Sequence, residues 1–540
     1  MLRIGIIIDS NIAPAWVAEI MQEISQSPTI KIVMVAQHET SHKINAPWPY
    51  PLFKKIDQAL WPAQHDLVTE IPVPMPQHVP LITLKASAID NKIFYDDHEL
   101  IKVTRFQPDL LLYFGSAMLS GKILKLPTHG VWSLYFGGTH PNTHIPPGFW
   151  EWFHETLDTS VTLQQIMEEP EEVKIIAKTI TRTIYVSHSR NAFAILSKGM
   201  DLVVESVNKL AEAGNYRTVN EETRNSSLAK KSAHTIVYRA PGLVDSLRAI
   251  QRLITRAIPR AISKILFLEP WVLFFTISDD EHPSLNFKTF KPLIPPKDRI
   301  WADPFVISQD DKHYLFIEEM FVKTNKGHLT CLVLDKMGNI ETSDVILEKP
   351  YHLSYPFIFT HEGTWYMIPE STENKTVDLY ECIGFPLQWK FKRTLLANVH
   401  AVDSTLHVSE GKFWLFCAIQ NRPGSSPNDD LHIFYTDDLL DGTWKPHQQN
   451  PVISDPYNAR PAGRIFQYNG AWCRPSQICI PDYGYGLALN RIVELNERSY
   501  KEERIMAELP HWRKNLLAMH TLNFSSKITF IDGILKRSRF

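Results

Sequence analysis

The chain has 540 residues, 44% of them hydrophobic and 21% charged, which is enough for two or three domains with sizeable cores. Its formal charge of −3 excludes the strongly basic balance of a general nucleic-acid binder, so no nucleic-acid partner is expected. No apolar run reaches the roughly 20 residues that a membrane-spanning helix needs.

The first predicted elements alternate strand and helix. Arg3 to Asp9, RIGIIID, is an apolar run of the kind buried in a parallel sheet, Ala13 to Ser25 has helical spacing, and Ile30 to Ala36 is the next strand, giving a βαβ opening. A core strand in this position is not the pattern of a signal peptide. DSNIAP follows the first strand where a dinucleotide site needs a Gly-rich turn, so no such site is expected. Residues 106–138, FQPDLLLYFGSAMLSGKILKLPTHGVWSLYFGG, supply two more strands around a short helix. Residues 187–214 have 3.6-residue apolar periodicity, end at Gly214 and read as the closing helix of a first domain over 1–215.

These segments, together with LDTSVTLQQI, resemble the formyltransferase fold of methionyl-tRNA formyltransferase and the sugar N-formyltransferases. The resemblance implies a Rossmann-like α/β domain. It also implies a site in which an Asn, a His two residues later and a downstream Asp orient the formyl donor, stabilise the oxyanion and handle the amine proton. Placing HGVWSLY on that pattern puts Ser133 at the Asn position, Tyr135 at the His position and Glu171 at the Asp position. Neither Ser nor Tyr offers an imidazole that accepts a proton at neutral pH, so ordinary formyl transfer is not expected. No cofactor is expected either, a folate-type formyl donor being the one the resemblance would bring. His140, His144 and His154 are irregularly spaced and read as surface or packing residues rather than a metal site.

Residues 216–284 form a connecting region. Tyr216 to Ser232 is a polar loop, and Leu243 to Leu268 is an amphipathic helix interrupted at Pro259. Arg248, Arg252, Arg256, Arg260 and Lys264 recur every four residues, opposite Ile250, Leu253, Ile254, Ala257 and Ile258. Two readings stand: a peripheral contact with an anionic membrane at the inner face, or a linker helix that packs its apolar side between the domains and leaves its arginines in water. Residues 265–277, ILFLEPWVLFFTI, are broken by Glu269-Pro270 and read as the strand that leads into the second domain.

The second domain, 285–540, is repetitive. WADPFVISQDDKHYLFIEEM at 301–320 recurs without a gap 52 positions later as LSYPFIFTHEGTWYMIPEST and 100 positions later as AVDSTLHVSEGKFWLFCAIQ, and a looser copy runs from Arg460 to Gln477. Each copy is a strand, a polar turn and a second strand, the hairpin unit of a β-propeller blade. Four recognisable copies and a fifth blade closed by the ends predict five blades. First strands line a propeller's channel, so one repeat position brings Asp303, Tyr355, Asp403 and Ala462 together, and another brings Glu318, Glu370, Ala418 and Gln477. With Glu319, Arg460, Arg474, Trp301, Trp365 and Trp444 nearby in sequence, these residues suggest a sugar pocket, in which aromatics stack on sugar faces and acids and arginines bind hydroxyls.

WADPF, SYPF, YMIPES, VDST, ARPAG and RPSQ followed by YGYG resemble the five-bladed propeller at the N-terminus of plant glucosamine inositolphosphorylceramide transferases, which is similar to the propellers of glycoside hydrolase families 43 and 32. The resemblance implies that Asp303 is a base or nucleophile and that Glu370 and Asp403 are the remaining acid/base candidates. Glu319, Tyr355, Arg460, Arg474 and Gln477 are the substrate-binding candidates. Nothing in the chain resembles the sugar-transfer domain that the plant proteins carry outside the propeller.

Three readings follow. The chain is a carbohydrate-active enzyme of cell-surface glycan assembly, taking a sugar, nucleotide-sugar or glycolipid in the propeller channel. Alternatively it is an amino-sugar acyl- or formyltransferase-like enzyme with a glycan-binding propeller, or a catalytically silent scaffold at the cytoplasmic membrane face. Cys331, Cys382, Cys417, Cys473 and Cys479 form no CxxC pair, so they read as free thiols of a reducing, cytoplasmic compartment, and no metal site is expected.

Overall fold

The computed structural model describes residues 1–39, 48–62, 66–89, 92–137, 145–168, 174–213, 239–278 and 282–538. It divides into two compact units, Met1–Pro259 and Arg260–Phe540, a boundary that falls inside one helix.

In the first unit, β1 (Leu2–Ile8), β2 (Ile30–His38), β3 (Leu81–Leu84), β4 (Leu110–Tyr113), β5 (Val131–Phe136), β6 (Asp158–Gln165) and β7 (Lys174–Arg182) form one sheet in the order β7-β6-β5-β4-β1-β2-β3. β1 to β5 are parallel and the last two strands are antiparallel. The continuous apolar run of β1 is explained by burial on both faces. Ile4, Ile6 and Ile8 pack against α1 (Ala15–Gln26) and α5 (His188–Ala213), while Ile7 enters the core on the other side. The expected βαβ opening is present, as is the helix expected over 187–214, and the unit continues past that helix to Pro259. Between the opening and that helix lie α2 (Tyr50–Leu60), α3 (Asp97–Thr104) and α4 (Phe149–His154).

α6 (Leu243–Leu266) follows. Its arginines are not simply in water. Arg252 lies over the Phe153 ring at 4.5 Å and Arg256 over Trp152 at 4.6 Å, with Arg256 also paired to Glu155 at 2.6 Å.

The second unit is a five-bladed propeller. Blades 1 to 4 are antiparallel sheets that begin at Arg299, Ser354, Ala401 and Phe466. The fifth joins Trp271–Ile277 and Lys291–Leu293 to Leu516–Ala518, Leu522–Ser525 and Ile528–Leu535, so both ends of the unit close the ring. The first hairpin of each of blades 1 to 4 turns on two residues with positive φ: Asp310-Asp311, Glu362-Gly363, Glu410-Gly411 and Asn469-Gly470. That is the two-residue turn whose twist matches the strands, and it accounts for the polar turn in every sequence copy.

Candidate functional site

The shared sequence position is a β-bulge. In blades 1, 2 and 3 the pairing between first and second strands skips from Ala302 to Phe305, from Ser354 to Phe357 and from Val402 to Thr405. Asp303, Tyr355 and Asp403 sit in these bulges with φ of 51°, 43° and 51°. A non-glycine residue there costs about 1–3 kcal/mol, so something must hold it. The holding group is a carboxylate of the blade before. The Asp303 N–H donates to Asp532 Oδ2 at 2.8 Å, the Tyr355 N–H to Asp303 Oδ2 at 3.1 Å, and the Asp403 N–H to Glu370 Oε2 at 3.1 Å. Convergence of acids on the axis is therefore partly architecture.

The acids differ in what else they meet. Asp403 accepts Arg460 Nε at 2.5 Å and Gln477 Nε2 at 2.6 Å, and Arg460 also reaches Asn428 at 2.8 Å. Glu370 is pushed well above the usual carboxylate range by burial and by Asp403, against a weaker pull from Arg460. Asp303 has one more partner, the Thr521 hydroxyl at 2.9 Å, and faces His520 Nε2 at 3.6 Å. Burial raises its carboxyl to about 8; His520 opposes this, and Asp403, Glu318 and Asp532 add to it. His520 is oriented by Asp532, which takes its Nδ1 at 2.7 Å and the Thr521 N–H at 3.0 Å. Burial lowers the imidazole, but the charge and hydrogen bond of Asp532, together with the charges of Asp303 and Asp403, carry it up to about 9. The result is an Asp532–His520–Asp303 relay whose last member holds a proton near neutral pH.

Aromatic groups stand beside the relay. Trp271 stacks on His520 at 4.0 Å and lies 6.1 Å from Tyr483, and Arg460 sits 4.5 Å over the Tyr483 ring. Trp271 and Tyr483 are half-buried. Asp303, His520 and Asp532 could offer three ligand atoms to a cation, but Nδ1 is committed to Asp532 and Nε2 faces Asp303.

Other candidates fall elsewhere. Tyr355 is fully buried, and its hydroxyl accepts the Gly463 N–H at 2.6 Å and meets Thr405 at 2.8 Å. Gly463 has φ 129°, and a Cβ there would collide with the Leu522 carbonyl, which explains the glycine of ARPAG. Glu319 points to the opposite face from Glu318 and is held by Trp301, Arg299 and His328. Arg474 is fully buried against Glu502, inside blade 4. Trp301 and Trp444 are blade-core residues, not a sugar platform. A groove of about 400 Å³ lined in part by Tyr468, Cys473, Leu489 and Met506 contains none of these acids.

In the first unit Ser133 is buried and donates to the Tyr113 carbonyl at 2.9 Å. Tyr135 is also buried, its phenol pushed up to about 12 by that burial. Glu171, His140 and His144 lie outside the described residues, and His154 stacks on Trp150. The residues missed from sequence are His520, Asp532, Trp271 and Tyr483. The YGYG motif pointed near the last of these, whereas the other three belong to the fifth blade, which breaks the repeat.

The family model described as "Glucosamine inositolphosphorylceramide transferase 1, N-terminal" matches residues 295–523. Glucosamine inositolphosphorylceramide transferase 1 of Arabidopsis thaliana is 36% identical over 216 residues, 39% of this chain and 28% of that protein. The protein of the same name from Oryza sativa subsp. japonica is 34% identical over 226 residues, 41% of this chain and 30% of that protein. The chain thus spans under a third of the length of the curated relatives it matches. Among solved structures, Zg3597, a family 117 glycoside hydrolase of Zobellia galactanivorans, is 12% identical with a TM-score of 0.33, covering 49% of this chain and 90% of that one. The arabinanase Arb43A of Bacillus subtilis is 12% identical with a TM-score of 0.31, covering 43% and 93%.

Proposed function

We propose that the propeller binds the sugar head group of a glycan or glycolipid at the axial mouth, and that Asp303, backed by His520 and Asp532, is its proton-bearing carboxyl. The observation that carries this is a buried Asp raised to about 8, one imidazole away from the half-buried rings of Trp271 and Tyr483. An aromatic edge or face receives the apolar side of a sugar ring, and a carboxyl that keeps its proton at neutral pH donates it to a sugar oxygen. The similarity to proteins named for glucosamine and inositolphosphorylceramide supports a sugar-bearing lipid as the class of ligand. It covers only part of those proteins, so the proposal assigns recognition and proton transfer, not their transferase reaction.

The reading that places amino-sugar acyl transfer in the first unit finds no open hydroxyl at Ser133 or Tyr135. For that unit we retain a formyltransferase-like α/β fold, which its parallel strands support, without formyl-transfer chemistry. A silent scaffold leaves the raised Asp303 without a role.

Saturation-transfer NMR with glucosamine, inositol phosphate and a glycosyl inositol phosphate tests the proposal. Binding to the wild type should be lost in Trp271→Ala and should lose its pH dependence around 8 in Asp303→Asn. Binding that survives both Trp271→Ala and Tyr483→Ala moves the site off the axis.

A further inference from the structure

α6 turns its apolar residues outward. Ala249 and Leu253 are fully buried against the aromatic cluster of Phe149, Trp152 and Phe153, and Arg252 and Arg256 lie on the same side. On the far side Leu243, Leu247, Ile254, Ile258, Ile262 and Ile265 are between 48% and 65% exposed. Their spacing of three, four and seven residues makes a stripe along one face. A helix that lays two arginines over aromatic rings and displays six large aliphatic side chains is arranged for a medium other than water.

We propose that this face docks on an anionic lipid surface. Charge selects the occupant. The helix has five basic residues and a single acid, Asp245, which is already paired with Arg239 at 2.6 Å. Arg248, Arg260 and Lys264 remain exposed. A second copy of the helix offers these three cations no unpaired acid, whereas anionic headgroups complement them. No described helix is long and apolar enough to cross a membrane, so α6 lies in the interface with its stripe in the acyl boundary.

The full chain is floated with vesicles of phosphatidylcholine alone or of phosphatidylcholine with phosphatidylglycerol. Neither contains sugar, so the result is independent of the propeller's ligand. The wild type should float with the anionic vesicles and release at high salt. The triple variant Leu247→Ser, Ile254→Ser, Ile258→Ser, altered only at exposed positions, should lose about tenfold or more in partitioning while its circular dichroism melt is unchanged. Absence of vesicle binding by the wild type, or equal binding by the triple variant, overturns the proposal. A wild-type dimer that the triple variant dissociates in light scattering assigns the face to a second copy instead.

Discussion

Asp303 and Glu319 lie on paired strands of one blade, yet their environments drive them apart. Glu319 is held down at about 2: burial alone would raise it, but His328, Trp301 and Arg299 all donate to or pair with it. Asp303 receives one amide and one hydroxyl, and burial beside other acids leaves it near 8. An unfolded Asp titrates near 3.9, so between about pH 4 and 8 the folded state binds more protons, and stability falls as pH rises through that window. Asp303→Asn should therefore melt higher than the wild type at pH 9, by roughly 2–4 °C for each kcal/mol relieved, with the gap closing towards pH 4. Calorimetry across pH checks this, and a lower melting temperature at every pH would contradict it. His520 is raised to about 9 from an ordinary value near 6.5, so its contribution is full below about 6.5 and is lost as pH rises through 9. Arg460 is different in kind. Arg460→Met leaves Asp403 buried without its cation and should cost about 3–5 kcal/mol in denaturant unfolding. The repeat made Asp303, Asp403 and Glu370 visible in the sequence because each occupies a fixed offset. Glu319 and Arg474 were misplaced by proximity in sequence, since a neighbour along a strand points to the other face.

At the scale of elements, the hairpins were legible and the bulges were not. Asp-Asp, Glu-Gly and Asn-Gly announce tight turns through their tolerance of positive φ. A bulge in mid-strand has no such signature when its residue is Asp or Tyr, because what holds it comes from another blade. Tyr355 shows the dependence: its hydroxyl satisfies the amide of Gly463, 108 residues further along the chain. Tyr355→Phe should leave that buried N–H unpaired and cost about 1–3 kcal/mol, measured by urea unfolding. An unchanged midpoint would show that the amide finds another acceptor. For α6, the periodicity gave the helix correctly. Which face it buries depended on the aromatic cluster of α4, which no local pattern reveals.

The whole propeller depends on closure. Its fifth blade is shared between residues 271–293 and 516–535, and the closing strands carry Trp271 at one end and His520, Thr521 and Asp532 at or near the other. Three gapless sequence copies, a looser fourth and the two ends of the domain together predict the five blades. The relay was invisible because its members sit in the one blade that is not a continuous repeat. A chain ending after Glu508 should lose the propeller's cooperative thermal transition in calorimetry, and retention of that transition would show that four blades suffice. The most direct measurement is a crystal structure of the full chain soaked with a glycosyl inositol phosphate. The account predicts a sugar ring against Trp271 or Tyr483 with an oxygen in hydrogen-bond reach of Asp303 or His520. Sugar bound elsewhere, with nothing at this mouth, would contradict it.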